Sequence, residues 1–411
     1  MRRNVAPVAE KASIPTHSQR RNDIDALRVF ATLALIVFHT ARVFDEAPWH
    51  IKNDLQPMAM DVLVTFMNAW HMPLFFTLAG AAAAFSLRRR SASQFIDERI
   101  SRLLIPFSFG ILLVIPPQVY IERISDSPFR QSPIDFEGSY LQFFPQFFTQ
   151  GIYPSGNFSW HHLWFIGYLF VFSLLLLPLF QHFLGKGREQ IYRWGSFLSR
   201  GFNVALLAIP LIVIRTALAG AFPGPQNFVN DLANIAQSML LMTYGFIMVQ
   251  DHRIQEAIER NLVNAALCAA GSTAVISYML LAGDWAEPYS GRYFIMMPVW
   301  AITTWSWLLV ILSAGGRTLR GDRAWIRRFG EIAFPFYIVH QTVIVAVAYY
   351  VVEYPWNVAA KFSLIALVSL IASWLLAEGA KHSALTRFIF GIKRQHSSTG
   401  AAHTGASRPH S

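Results

Sequence analysis

Asp25-Ala-Leu-Arg28-Val-Phe-Ala-Thr-Leu-Ala-Leu-Ile-Val-Phe-His39 is an apolar run interrupted only by one arginine and closed by one histidine. Taken as residues 26–44, it has about the 20 apolar residues a helix needs to cross a hydrocarbon core. Comparable stretches recur near 60–86, 101–121, 162–183, 202–222, 232–250, 262–283, 293–313, 332–352 and 358–379. The pattern predicts an all-α polytopic membrane protein, a bundle of about ten transmembrane helices. Two stretches are less regular: 60–86 carries Asn68, His71 and Pro73, and 101–121 holds Pro106, Pro116 and Pro117. Proline is tolerated inside a span where neighbouring helices satisfy the carbonyls it frees.

The composition agrees. Hydrophobic residues make up 54% of the 411 and charged residues 14%, against about 25% charge in soluble domains. The 34 Phe and 12 Trp suit a lipid-facing surface with interfacial belts. A net charge of +10 raises the question of nucleic acid. The basic residues, however, fall between apolar segments rather than in one patch, so nucleic acid is not an expected partner. A single cysteine, Cys268, rules out a disulfide within the chain and makes a cysteine-based metal site implausible.

Orientation follows from lysine and arginine. With the N-terminus inside, 25 basic residues fall on inside segments and four on outside ones (Lys52, Arg123, Arg130 and Arg292). Another five, Arg28, Arg42, Arg102, Arg215 and Lys361, lie in or at the edge of spans. Both termini are therefore expected in the cytoplasm. The segments read as a basic cytoplasmic N-terminal stretch (1–24), a transmembrane domain (25–385) with a long outer loop (about 122–160), and a disordered cytoplasmic tail (386–411). The first span is expected to be a retained anchor, because its charged lead is long, no small-x-small cleavage site follows, and Arg28 and His39 interrupt it.

Charge inside a bilayer costs a few kcal/mol or more per group, so each polar residue within a span invites a reading. Eleven residues separate Arg28 from His39. On a helix that is three turns plus roughly 20°, placing both on one face about 16 Å apart. Asp25, one turn before Arg28, is placed to pair with it. His39 reads either as a general base with a pKa suited to deprotonating a hydroxyl, or as a structural histidine bonded to a neighbouring helix. Arg28 reads either as part of a site or as an anchor that snorkels to headgroups.

The arginines of Arg88-Arg89-Arg90 suit positive-inside anchoring. Arg99 and Arg102, three apart at a helix entry, suit bidentate phosphate binding and so an anionic donor; anchoring remains the bland alternative. Trp160-His161-His162-Leu163-Trp164-Phe165 opens the fourth span from outside. Adjacent histidines diverge by about 100° on a helix, so one is expected to face a cavity and the other the interface. His71 is expected to approach His39. Together with His71, Trp160, His162 and His340 are the expected substrate-contacting residues. Arg215, mid-span, requires a partner that the sequence does not name. Asn157-Phe158-Ser159 matches a glycosylation sequon, a pattern common by chance. There is no glycine-rich phosphate loop and no His-Glu-x-x-His, hence no sign of ATP hydrolysis, a dinucleotide fold, a metal centre or a bound cofactor.

These features together resemble the acyltransferase-3 family of bacterial inner-membrane O-acyltransferases. The likeness rests on Asp25-Ala-Leu-Arg28 and the Arg28-to-His39 spacing, on Arg99-Ile-Ser-Arg102-Leu-Leu-Ile-Pro106, on His162-Leu163-Trp164-Phe165, and on Phe334-Pro335-Phe336-Tyr337-Ile338-Val339-His340. It covers about residues 21–385. Within the family, Ile152-Tyr-Pro-Ser-Gly-Asn157-Phe-Ser-Trp160 looks most like the glucan biosynthesis protein C branch, implicated in succinylating periplasmic glucans. The resemblance implies a ten-helix inner-membrane bundle, with acyl-CoA (acetyl-CoA or succinyl-CoA) as cytoplasmic donor substrate and an extracytoplasmic glycan as acceptor. It also implies that His39 is catalytic, that Arg28 assists, and that Arg99 and Arg102 steer the donor. Many relatives carry a fused extracytoplasmic hydrolase-like domain or an extra helix. This chain is expected to have neither, so the bundle and the 122–160 loop would position the acceptor. A proton-coupled secondary transporter is the rival reading, since intramembrane His, Arg and Asp also serve transport. It would favour an internal repeat and helices broken near the midplane, neither of which the sequence displays.

Overall fold

The computed structural model describes residues 21–127, 130–224, 226–283 and 286–392. Of the basic residues used for orientation, Arg2, Arg3, Lys11, Arg20, Lys393, Arg394 and Arg408 lie outside the described residues, as do most of the 1–24 segment and the tail from 393.

The described chain is helical throughout. In order, the elements are α1 (Asn22–Ala41), α2 (Met58–Leu87), α3 (Ala92–Arg123), α4 (Tyr140–Thr149), α5 (His161–Leu175), α6 (Leu177–Leu184), α7 (Arg188–Leu198) and α8 (Asn203–Leu218). There follow α9 (Leu232–Met248), α10 (His252–Arg260), α11 (Leu262–Leu281), α12 (Tyr293–Thr318), α13 (Ala324–Val351), α14 (Val358–Gly379) and α15 (Ala384–Ile389). Among the described residues, seven helices are long and apolar enough to cross a membrane: α1, α2, α3, α11, α12, α13 and α14. The pairs α5–α6 and α9–α10 pass the same test only together, bent by 51° and 106°. α8 is apolar but shorter. Each of the ten apolar stretches thus falls on a helix or a bent pair, and the chain reads as a multi-pass membrane protein.

The broken helices depart from the sequence reading, which saw none. Pro178 at the start of α6 cannot donate to the preceding turn, so α5 ends there. At the second break Asp251 accepts from the Arg253 amide at 3.0 Å and caps α10 as a separate helix. In α3, Pro106 leaves the Arg102 carbonyl without its usual donor, and residues Ile100–Leu104 open into a π-turn. A further break falls at Val114, ahead of Pro116 and Pro117. Here Thr342 of α13 donates to the Val114 carbonyl at 2.9 Å, as a membrane interior requires.

α1 lies at the centre, packed against α2, α12, α13 and α14. α2 and α9 cross through two glycines: a Cβ on Gly80 would lie 1.8 Å from the Met242 carbonyl oxygen, and one on Gly245 would lie 1.8 Å from that of Thr77. Small residues permit such close approach of helices in lipid. At the periphery α11 turns Val263, Leu267, Val275, Tyr278 and Leu281 outward, an apolar face whose natural solvent is lipid.

Candidate active site

At the C-terminal end of α1, histidines from three segments converge. His39 is half-buried, its ring 5.1 Å from that of His340 on α13 and loosely stacked on Trp49 at 6.0 Å. His340 is fully buried and lies 5.1 Å from His162 at the start of α5. Main-chain carbonyls fix two of these rings. His162 Nε2 donates to the Ile338 carbonyl at 2.9 Å, and His340 Nδ1 to the Tyr337 carbonyl at 2.5 Å. Tyr337 in turn donates its hydroxyl to the His162 carbonyl, locking α5 to α13. The remaining nitrogens, His162 Nδ1 and His340 Nε2, are buried without a hydrogen-bond partner, and so is His39 Nδ1. Buried polar atoms left unpaired are uncommon and call for an explanation.

His71 lies within electrostatic reach of His39 without touching its ring. Its Nε2 donates to the Ala31 carbonyl of α1 at 2.7 Å, and Phe38 packs on its ring, so it ties α2 to α1 two turns before His39. Trp160 is not brought to His39: its indole donates to the Gln226 carbonyl at 2.9 Å and packs against Phe107 and Phe228. Arg215 has its guanidinium over the Trp300 ring at 5.7 Å. The Asn157 side chain is buried, accepting from Arg123 Nε at 2.8 Å, so this sequon offers no accessible amide.

Both adjacent histidines turn inward, contrary to the helical expectation. His161–Leu163 forms a 3-10 turn rather than α-helix, and His161 sits at φ +37°, in the left-handed region that non-glycine residues rarely adopt. The Ser159 hydroxyl accepts from the His161 amide at 3.1 Å and holds this bend. His161 thereby meets His50 at 4.5 Å and Tyr153 at 4.7 Å between ring centres.

Sequence reasoning passed over this outer layer. Glu122, fully buried at the end of α3, accepts from His50 Nδ1, from the Tyr153 hydroxyl at 3.0 Å and from the Ser132 amide at 3.1 Å. Gln118 donates to His50 Nε2 at 2.7 Å. The 44–56 segment is bound to the outer loop through Gln131 N to the Trp49 carbonyl (3.2 Å) and Lys52 N to Ser127 Oγ (3.1 Å). Burial together with the Glu122 carboxylate pushes the Tyr153 phenol up, so it stays a donor. The Lys52 ammonium meets the Asp45 carboxylate at 2.7 Å, yet burial dominates for both, lowering Lys52 and raising Asp45.

The opposite end of α1 carries the arginines. Arg28 pairs with Asp25 at 2.5 Å and lies within electrostatic reach of Arg102. Glu98 sits among the others, 3.6 Å from Arg102 Nε and 3.4 Å from Arg90 Nη1. Arg99 stacks over Phe95 at 4.5 Å, its Nε buried without a partner. Arg102 itself stands on the π-turn, a distortion common at functional sites. A small, partly open cavity of about 50 Å³ lies beside the N-terminal end of α1, lined by Arg21, Leu27, Thr77, Gly245 and Glu259; Arg28, Arg99 and Arg102 do not line it. Among the described residues no group of three or more His, Cys, Asp or Glu is arranged to hold a metal ion.

One end thus offers imidazole lone pairs and the other a partly neutralised guanidinium cluster, joined by a single helix. Imidazoles and guanidiniums, side chains chemically able to move protons and to bind anions, are displayed at the two ends of one helix. The family described as Acyltransferase domain, the acyltransferase-3 family, matches residues 21–378, and the chain belongs to it. It is a membrane acyltransferase. Glucans biosynthesis protein C of Escherichia coli O139:H28 (strain E24377A / ETEC) is 20% identical over 348 residues, covering 79% of this chain and 82% of that one. The namesakes from Escherichia coli (strain K12) and Shigella dysenteriae serotype 1 (strain Sd197) match to the same extent. No solved structure matches.

Proposed function

We propose that the protein transfers an acetyl or succinyl group from cytoplasmic acyl-CoA to a hydroxyl of an extracytoplasmic glycan. In this reading the chain spans the inner (plasma) membrane ten times, counting α8 and both bent pairs, with both termini in the cytoplasm. The lysine and arginine bias supports that orientation, and the name shared by the relatives supports a glucan acceptor.

The observation that carries the reading is the division of α1 between two chemistries. Arg28 lies with Arg99 and Arg102 toward one face, and His39 lies with His340 and His162 toward the other. About 16 Å of helix separates them, a gap for an extended pantetheine arm to bridge. The donor phosphates rest on Arg99 and Arg102, and the thioester reaches His39. There the imidazole takes the proton of the acceptor hydroxyl while its oxygen attacks the thioester carbonyl. The C–S bond breaks, and the thiolate recovers the proton from His39, leaving an ester and CoA thiol. Arg28, about 16 Å from the reacting thioester, steers the anionic donor.

Proteoliposomes test the reading. With labelled acyl-CoA on the cytoplasmic face and glycan on the other, label should appear in the glycan. Proton-dependent solute uptake with acyl-CoA left intact would support the transporter instead. The bend between α5 and α6 weakens one sequence argument against transport, the bend after α9 falls at the end of its apolar stretch, and the family match favours the acyltransferase.

A further inference from the structure

The three unpaired nitrogens at the end of α1 do not have equivalent freedom. His162 spends its Nε2 proton on the Ile338 carbonyl, so its Nδ1 carries a lone pair. His340 spends its Nδ1 proton on the Tyr337 carbonyl, so its Nε2 also carries a lone pair. Two lone pairs cannot bond each other, although the rings stand only 5.1 Å apart. His39 is the other imidazole in ring contact with His340, also at 5.1 Å, and its Nδ1 is buried with no partner among the described residues. An N–H···N bond of about 2.9 Å sets the centres of the two bonded imidazoles roughly 5 Å apart, the separation found between His39 and His340.

We infer that His340 is a positioning residue, whose Nε2 accepts from His39 Nδ1–H and thereby holds His39 in the tautomer with its lone pair on Nε2. Main-chain fixation of His340 is what gives the arrangement direction, because a ring already donating from Nδ1 can only accept at Nε2. The carboxylate that commonly orients a catalytic histidine is replaced here by a neutral imidazole, which avoids the cost of a buried charge in lipid. Trp49 stacked on the other side limits the rotation of His39. The remaining titratable or charged groups near His39 are His162 of α5, His71 of α2 and Arg42 just beyond α1. None of the three makes ring contact or a hydrogen bond with it.

The inference assigns the geometry behind the proposed base, and one of its tests is independent of activity. In wild-type protein labelled with 15N-histidine in lipid nanodiscs, His39, assigned by comparison with a His39→Gln sample, should show Nδ1 protonated and Nε2 bare. His340→Phe should convert His39 to the other tautomer or to a mixture. His340→Gln, whose side-chain oxygen can accept in place of Nε2, should restore the wild-type signature. In the transfer assay His340→Phe should lose roughly 10- to 100-fold in kcat, as for other residues that orient a functional imidazole, with the KM for acyl-CoA unchanged. His340→Gln should stay within a few-fold of wild type. Wild-type His39 protonated on Nε2, or a tautomer indifferent to both variants, overturns the inference; the wild-type spectrum alone decides this should a variant fail to fold. A tautomer that responds as expected in a protein without transfer activity upholds the inference and rejects the proposed function.

Discussion

Replacing Glu122 with leucine tests whether the outer loop is a built part of the site. The carboxylate is fully buried and receives three donors: His50 Nδ1, the Tyr153 hydroxyl and the Ser132 amide. Arg123, also buried, stands 3.5 Å away. Leucine leaves these donors facing an apolar group, and each buried donor without a partner costs about 1–3 kcal/mol. Removing one member of a buried charged set costs about 3–5 kcal/mol in total, which shifts a local opening equilibrium by roughly 100-fold to several thousandfold. The loss should be local, because Glu122 ties the 44–56 and 124–160 segments together and the helical core does not depend on it. Hydrogen exchange in nanodiscs should therefore show peptides from both segments opening, with α2 and α9 as protected as in wild type. Glu122→Gln, which preserves shape and one acceptor, should fall between. In transfer assays the KM for the acceptor should rise while that for acyl-CoA holds. Unchanged exchange in both segments would refute the reasoning, and so would opening spread evenly over the whole bundle.

Other expectations follow from single contacts. Arg99→Ala and Arg102→Ala should each raise the KM for acyl-CoA about tenfold, the size of one lost charge-assisted contact of roughly 1.5 kcal/mol, with a smaller effect on kcat; steady-state kinetics against acyl-CoA checks this. Gly245→Val places a branched side chain where even a Cβ would lie 1.8 Å from the Thr77 carbonyl. Overpacking of that kind costs about 1–3 kcal/mol or more, so the thermal transition in detergent should drop by several degrees. Asn157 should remain unmodified when the protein is made in a glycosylating host, as intact-mass measurement would show, because its amide is buried against Arg123.

The spans were legible because the bilayer imposes its own length and polarity on each of them. The polar residues in those spans stood out for the same reason: in an apolar run, His39, His162, His340 and Arg102 each invite a functional reading beside a structural one. His50, Glu122 and Gln118 were given no role: His50 and Glu122 lie in connecting segments, where polar residues are commonplace, and Gln118 is an uncharged residue near the end of the 101–121 stretch. Their burial arises only when residues 44–56 fold against the outer loop, a contact between positions 72 apart in the chain in the case of His50 and Glu122. His161 was misjudged because the sequence suggests an α-helix at the start of α5. A 3-10 turn and one left-handed residue reverse that side chain, and no local propensity signals it. The bend after α5 was missed for a related reason, since hydropathy runs on smoothly through it, whereas the bend after α9 falls where the apolar stretch 232–250 gives way to Gln250-Asp251-His252-Arg253.

The account rests on one imidazole at the end of α1 acting on reactants from opposite faces. Acyl transfer by reconstituted His39→Ala measures this most directly, read beside a thermal scan showing that the variant is folded and inserted. Loss of general-base catalysis should lower kcat by about 10²- to 10⁴-fold at a wild-type melting temperature. A folded His39→Ala protein that acylates its acceptor at the wild-type rate would contradict the account.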